Sequence, residues 1–236
     1  MKNDLKEKLE VSKGFSFKKN SRYDEIISLG YNCETSFMID NYRNELNSYV
    51  YNWAFINDRK KFIDSLNNLD KILSEKITLL PWRMFKCEKY NINFHPAKTL
   101  EGKLFNADGS TNDENIEFAI VELKSRVQYL AKKLSNLFKS NKNTLFIIKI
   151  KGNNVENDLA YIKDLYETIK HLHISGKFTL CCIFEKKSFS SKISKLESDN
   201  LKIRKVNFFS NEATAIKNSD NNGWNKIFQE FFTAER

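Results

Sequence analysis

Apolar positions along this chain fall into two kinds of pattern, and together they outline most of the elements. Ile116, Ile120, Leu123, Val127, Leu130, Leu134 and Leu137 recur at spacings of four and three, which predicts a long amphipathic helix. Thr111-Asn112-Asp113-Glu114 stands just before it with the form of a capping box. Two continuous apolar runs follow, TLFIIKI at residues 144–150 and FTLCCIF at 178–184, as expected of strands buried on both faces. Between them, residues 155–172 set Leu159, Ile162, Tyr166 and Ile169 on one helical face, and Gly176 falls where a helix C-cap is expected. Residues 203–208 read as a further strand. A last helix begins near Gly223, with Trp224, Ile227, Phe228 and Phe231 on one side.

Upstream the signals are shorter. Residues 24–29 read as a strand that runs through Gly30 into a short helix over about 33–42. Residues 58–69 form a second helical pattern, with Phe62, Leu66 and Leu69 aligned. Residues 77–95 look extended, with Pro81 and Pro96 as breakers, and residues 98–112 read as loop. Apolar strands alternating with amphipathic helices predict an α/β fold, a mainly parallel sheet flanked by helices. With no repeat or linker in 236 residues, the expectation is a basic lead-in at 1–22 and a single domain over 23–236.

Composition narrows the function classes. The chain is 41% hydrophobic with 19 Phe, too apolar for a disordered protein. No apolar run approaches the roughly 20 residues of a membrane helix, and the charged N-terminus lacks a secretory h-region. The expectation is a cytoplasmic protein without a transmembrane segment, for which peripheral attachment to a membrane remains open. A net charge of +9 reads first as the habit of a Lys/Asn/Ile-rich composition and otherwise points to an anionic small-molecule or glycan substrate. Nucleic acid is not expected, because the basic residues are scattered among acidic ones. Among Cys33, Cys87, Cys181 and Cys182 there is no CxxC and no zinc-ligand spacing, so neither a metal nor disulfides are expected. Cys87, Cys181 and Cys182 read as buried apolar side chains.

Cys33 is different. It follows a strand and Gly30 in Ser28-Leu29-Gly30-Tyr31-Asn32-Cys33 and opens a helix, so the Cys sits at a strand-to-helix junction. Helix-start amides favour a thiolate and can hold a developing oxyanion, for which the Cys33 and Asn32 amides are candidates. Gly30 allows the sharp turn. A thiol nucleophile needs a base, and the chain has three histidines. His171 and His173 fall in a helix's last turn, where exposure is normal. His95, after an extended segment and before Pro96, is the better candidate.

These residues carry a resemblance. Tyr23 to Cys33, with Tyr51-Asn52-Trp53 and Phe94-His95, resembles a bacterial family of uncharacterised domains described as papain-like cysteine peptidases. That family shows a Ser-Leu-Gly-x-x-Cys start, a Phe-Asp-Trp element and a Phe-x-His or His-Asp element. The similarity extends through the 124–126 helix, the TLFIIKI strand and a C-terminal Trp. It implies a catalytic Cys33, His95 and Asn52, with Gly30, Asn32, Trp53 and Arg126 lining the substrate site. Asn replaces the family's Asp at position 52, and Pro96 its Asp after His95. Family members are associated with surface-polysaccharide genes, and a distantly similar capsule-biosynthesis protein is regarded as a coenzyme A-dependent acetyltransferase. The resemblance therefore implies a cysteine hydrolase or acyltransferase in glycoconjugate biosynthesis, with no required cofactor and coenzyme A as an acyl donor to consider. The alternative is a non-catalytic module that keeps the cleft for a nucleotide-sugar or glycan. A papain fold would bring mostly antiparallel strands, whereas the residue pattern predicts parallel ones.

Overall fold

The computed structural model describes residues 22–43, 47–152, 154–210 and 219–232. The expected lead-in at 1–22 lies outside them except for Arg22. In chain order the elements are β1 (Glu25–Ser28), α1 (Glu34–Arg43), β2 (Ala54–Ile56), α2 (Arg59–Asn67), β3 (Ile77–Leu79), β4 (Phe85–Cys87), β5 (Ile92–Phe94), α3 (Lys98–Glu101), α4 (Asp113–Phe138), β6 (Thr144–Ile150), α5 (Val155–Leu172), β7 (Phe178–Glu185), α6 (Ser191–Ser194), β8 (Leu201–Val206) and α7 (Asn221–Phe232).

The principal sheet is parallel, in the order β1-β6-β7-β8. Every residue of β6 is buried, as expected of a central strand covered on both faces. Successive side chains alternate between the two layers. Leu145, Ile147, Cys181 and Ile183 meet Met38 and Ile39 of α1 and Trp224, Ile227 and Phe228 of α7. Phe146, Ile148, Leu180 and Cys182 pack toward α4, α5 and the rest of the molecule. The adjacent pair Cys181 and Cys182 thus serves opposite cores, each as a small apolar side chain.

The long helices start at side-chain caps. Asp58 accepts a hydrogen bond from Lys61 N at 2.9 Å, Asn112 from Asn115 N at 3.1 Å and Asn154 from Asn157 N at 3.0 Å. Each satisfies an amide that the first turn leaves without a partner. On α4 the expected stripe faces inward, with Leu123, Val127, Leu134 and Leu137 buried and Ile116, Ile120 and Leu130 packed at its margin.

The extended stretch at 77–95 resolves into three strands. With β2 they form a second, antiparallel sheet in the order β2-β5-β4-β3. Ala54 lies opposite Phe94, and Phe85 lies on that residue's other side. Each strand has three residues, too short to show a period. The 98–112 segment contains the short helix α3 as well as loop. Gly176 belongs to the turn before β7, because the cap of α5 is His173. His173 is no exposed last-turn cation. It is buried among Phe138, Phe146 and Phe178, with Nε2 3.4 Å from Thr144 Oγ1, and burial draws its pKa below the usual value.

Candidate functional site

The site begins where β1 ends, at the carboxyl edge of the parallel sheet. Gly30 and Tyr31 both adopt positive φ, 86° and 81°. This pair turns the chain from strand to helix within five residues. A Cβ on Gly30 would lie 2.8 Å from Ile56 Cδ1 and 3.2 Å from the Tyr51 carbonyl oxygen, so glycine is needed for space as well as conformation. Gly30→Ala is expected to cost about 1–2 kcal/mol in backbone strain and a further 1–3 kcal/mol in overpacking. Urea denaturation of the purified variant checks this; an unchanged midpoint would show that the turn relaxes freely.

Cys33 caps α1, since its carbonyl accepts from Phe37 N at 3.0 Å. The Asn32 side chain helps fix the turn. Its Oδ1 accepts from Glu34 N at 3.1 Å and from Lys149 Nζ at 3.0 Å, and its Nδ2 lies 3.5 Å from the Ser210 carbonyl. The Asn32 and Cys33 amides form no hydrogen bond with another described residue and remain the oxyanion candidates.

His95 follows β5, and the second sheet carries it to the thiol. Cys33 Sγ and His95 Nε2 are 3.5 Å apart, although the residues are 62 positions apart in sequence. Arg126 of α4 donates to the His95 carbonyl at 2.6 Å, and the Phe55 ring stands edge-on to the imidazole, centroids 6.3 Å apart. Arg126 thus holds the His95 backbone; a contact of its side chain with substrate is not what the geometry displays.

Asn52 is placed differently from the arrangement the resemblance implies. Its Oδ1 accepts from Tyr49 N at 3.2 Å and its carbonyl accepts from Ser36 Oγ, so the residue ties α1 to the 49–52 turn. Among the described residues nothing hydrogen-bonds the second nitrogen of His95, and the arrangement is a dyad. The register pairing Ala54 with Phe94 sets Trp53 beside His95. Trp53 packs edge-on against Phe37 and donates to Ser48 Oγ at 3.1 Å. With His95, Arg126, Tyr49 and Leu130 it borders a cavity of about 20 Å³, room for about one water.

The thiol itself is not open to a broad cleft. Cys33 is 6% exposed, and burial pushes its pKa up to about 11. Lys149 acts in the opposite direction. His95 is half-buried, and burial lowers its pKa, with Glu101 opposing and Arg126 reinforcing that shift. Desolvation therefore outweighs the helix terminus, and the resting pair is neutral thiol beside neutral imidazole.

Glu34 and Lys149 complete the surroundings, and the motif reading passed over both. They form an ion pair with no exposed side-chain surface. Glu34 also accepts from Ser210 N at 3.1 Å and Trp224 Nε1 at 3.2 Å, so β6, helix α7 and the segment after β8 meet at one carboxylate. Lys149 stands 4.4 Å from the Phe209 ring centroid. The clue in the sequence was the lone charge in TLFIIKI, because a cation inside a buried strand needs a partner.

Comparison with family models, curated proteins and solved structures finds no match.

Proposed function

We propose that Cys33 and His95 are the nucleophile and base of an acyl-transfer enzyme acting on a thioester, ester or amide. The observation that carries this reading is the 3.5 Å approach of Sγ to Nε2. Nothing local in the chain forces the two together. As Sγ bonds to the substrate carbonyl carbon, the thiol proton passes to Nε2, which requires the tautomer with its proton on Nδ1. The carbonyl oxygen becomes an oxyanion facing the helix-start amides. Collapse expels the leaving group, which takes the proton from His95. Water or a sugar hydroxyl then attacks the acyl-cysteine, gives its proton to His95, and the thiol is restored.

Four free cysteines support a reducing, cytoplasmic setting. No helix among the described residues is long and apolar enough to cross a membrane. The family resemblance supports a place in surface-glycan synthesis.

Acylation by p-nitrophenyl acetate, followed against pH, tests the mechanism. His95 works unprotonated and its pKa lies below the ordinary 6.5. The rate is therefore expected to level off from about pH 6.5 upward and to fall as acid protonates the ring. Cys33→Ala should abolish the burst. A rate rising tenfold per pH unit through neutrality would mean a buried thiol titrating alone near 11. That result would favour a non-catalytic binding module, a reading to which the 6% exposure of Cys33 already lends weight.

A further inference from the structure

We infer that a large cavity walled by Tyr31 and Lys149 holds a phosphate-bearing part of the substrate, of the class of a nucleoside diphosphate. This assignment rests on the acyl-transfer reading for its link to Cys33. The cavity measures about 1280 Å³ and opens at the carboxyl ends of the parallel strands, where ligands of α/β sheets bind. Tyr31 and Lys149 belong to its wall. Tyr31 lies two residues before Cys33, and Lys149 donates to Oδ1 of Asn32, the residue preceding Cys33, at 3.0 Å. Cys33 and His95 are not among its lining, and a substrate seated there would reach the sulfur past the 30–32 turn.

The wall has distinct regions. Arg59, Lys60, Lys149 and Lys151 line it around the starts of α2 and α5. Asp58 and Asn154 each cap the third amide of their helix, which leaves earlier first-turn amides without an intrahelical partner. Arg59 is held in place by Asp158 at 2.6 Å and lies over the Tyr161 ring at 4.9 Å. Lys60 and Lys151 are exposed and free to meet an anion. The acidic members are Asp58, Asp164 and Glu167. The Asp58 carboxylate is engaged as a cap. Asp164 and Glu167 stand about 10 and 15 Å beyond Asn157 along α5, at the rise of a helix. Lys149 is engaged by Glu34 and Arg59 by Asp158, so the exposed Lys60 and Lys151 with the two helix starts are what suits phosphate. Tyr31, Ile56, Ile63, Ala160 and Tyr161 offer apolar and aromatic surface for a base or similar group.

Titration calorimetry on Cys33→Ala with inorganic pyrophosphate, ADP and adenosine separates the contributions, independently of catalysis. Pyrophosphate and ADP are expected to bind and adenosine to bind at least about tenfold more weakly than ADP. ADP binding more tightly than pyrophosphate would assign the nucleoside to the aromatic wall, and equal affinity would assign the site to phosphoanhydride alone. Lys60→Glu and Lys151→Glu, both at exposed positions, should each weaken ADP about tenfold, the loss of one charge-assisted contact. Absence of pyrophosphate and ADP binding, equal affinity for adenosine, or unchanged affinity in both Lys variants would overturn the assignment. Binding without acylation of the wild type would instead remove only the acyl-transfer reading.

Discussion

Replacing His95 with Gln is expected to slow acylation of Cys33 at pH 7 by about 10²- to 10⁴-fold, the usual contribution of a positioned base. A thiol with a pKa of about 11 is almost entirely protonated at neutrality. Its thiolate fraction at pH 7 is on the order of 10⁻⁴, so the reaction depends on removing the proton during attack. Gln cannot do that. The deficit should shrink about tenfold for each pH unit of increase, because hydroxide then supplies what the imidazole did. Fold stability should change little, since Arg126 holds the backbone carbonyl of residue 95 and the substitution leaves that group in place. Burst kinetics of the variant between pH 6 and pH 10 provide the measurement. A wild-type rate at pH 7 would show that His95 is not the base.

The second large effect is one of stability. Lys149→Met should destabilise the protein by about 3–5 kcal/mol, because the buried Glu34 carboxylate loses its partner cation at a position closed to solvent. For a chain of this size that is a fall in Tm of about 6–20 °C. The double variant Glu34→Gln/Lys149→Met should recover part of the loss, as neither charge then needs a partner. Because Lys149 also grips Asn32 beside Cys33, the single variant should loosen the 30–34 turn and slow acylation at temperatures where it remains folded. Calorimetric melting of both variants checks the order. A single variant as stable as wild type would mean that the pair contributes nothing to the fold.

The two predictions draw on different levels of the chain's information. The parallel core was written into local pattern. TLFIIKI can only be a strand buried on both faces, and the seven-position stripe of α4 can only face one side. Each signal is summed over many residues, so it survives context. The Ser28–Cys33 segment was legible for a similar reason: Gly30 permits the turn, and Cys33 falls at the next helix start.

Neighbours far apart in sequence were decided by the tertiary fold alone. In the second sheet β3, β4 and β5 pair with near neighbours in sequence, but β2 joins them only through the pairing of Ala54 with Phe94, 40 positions away. That register carries His95 to Cys33, and it places Asn52 where a backbone amide claims its side chain. His173 reads locally as a surface cation and is buried because three phenylalanines from other elements close over it. The union of Glu34 with Lys149 follows from the parallel pairing of β1 with β6, which sets the end of one strand beside the other. Sequence by itself determined which residues could carry chemistry and which segments could form the core, since both follow from side-chain type and short-range period. Only tertiary structure decided which of those residues meet, because burial, charge pairing and the pKa values they shift are properties of what the rest of the chain packs around them.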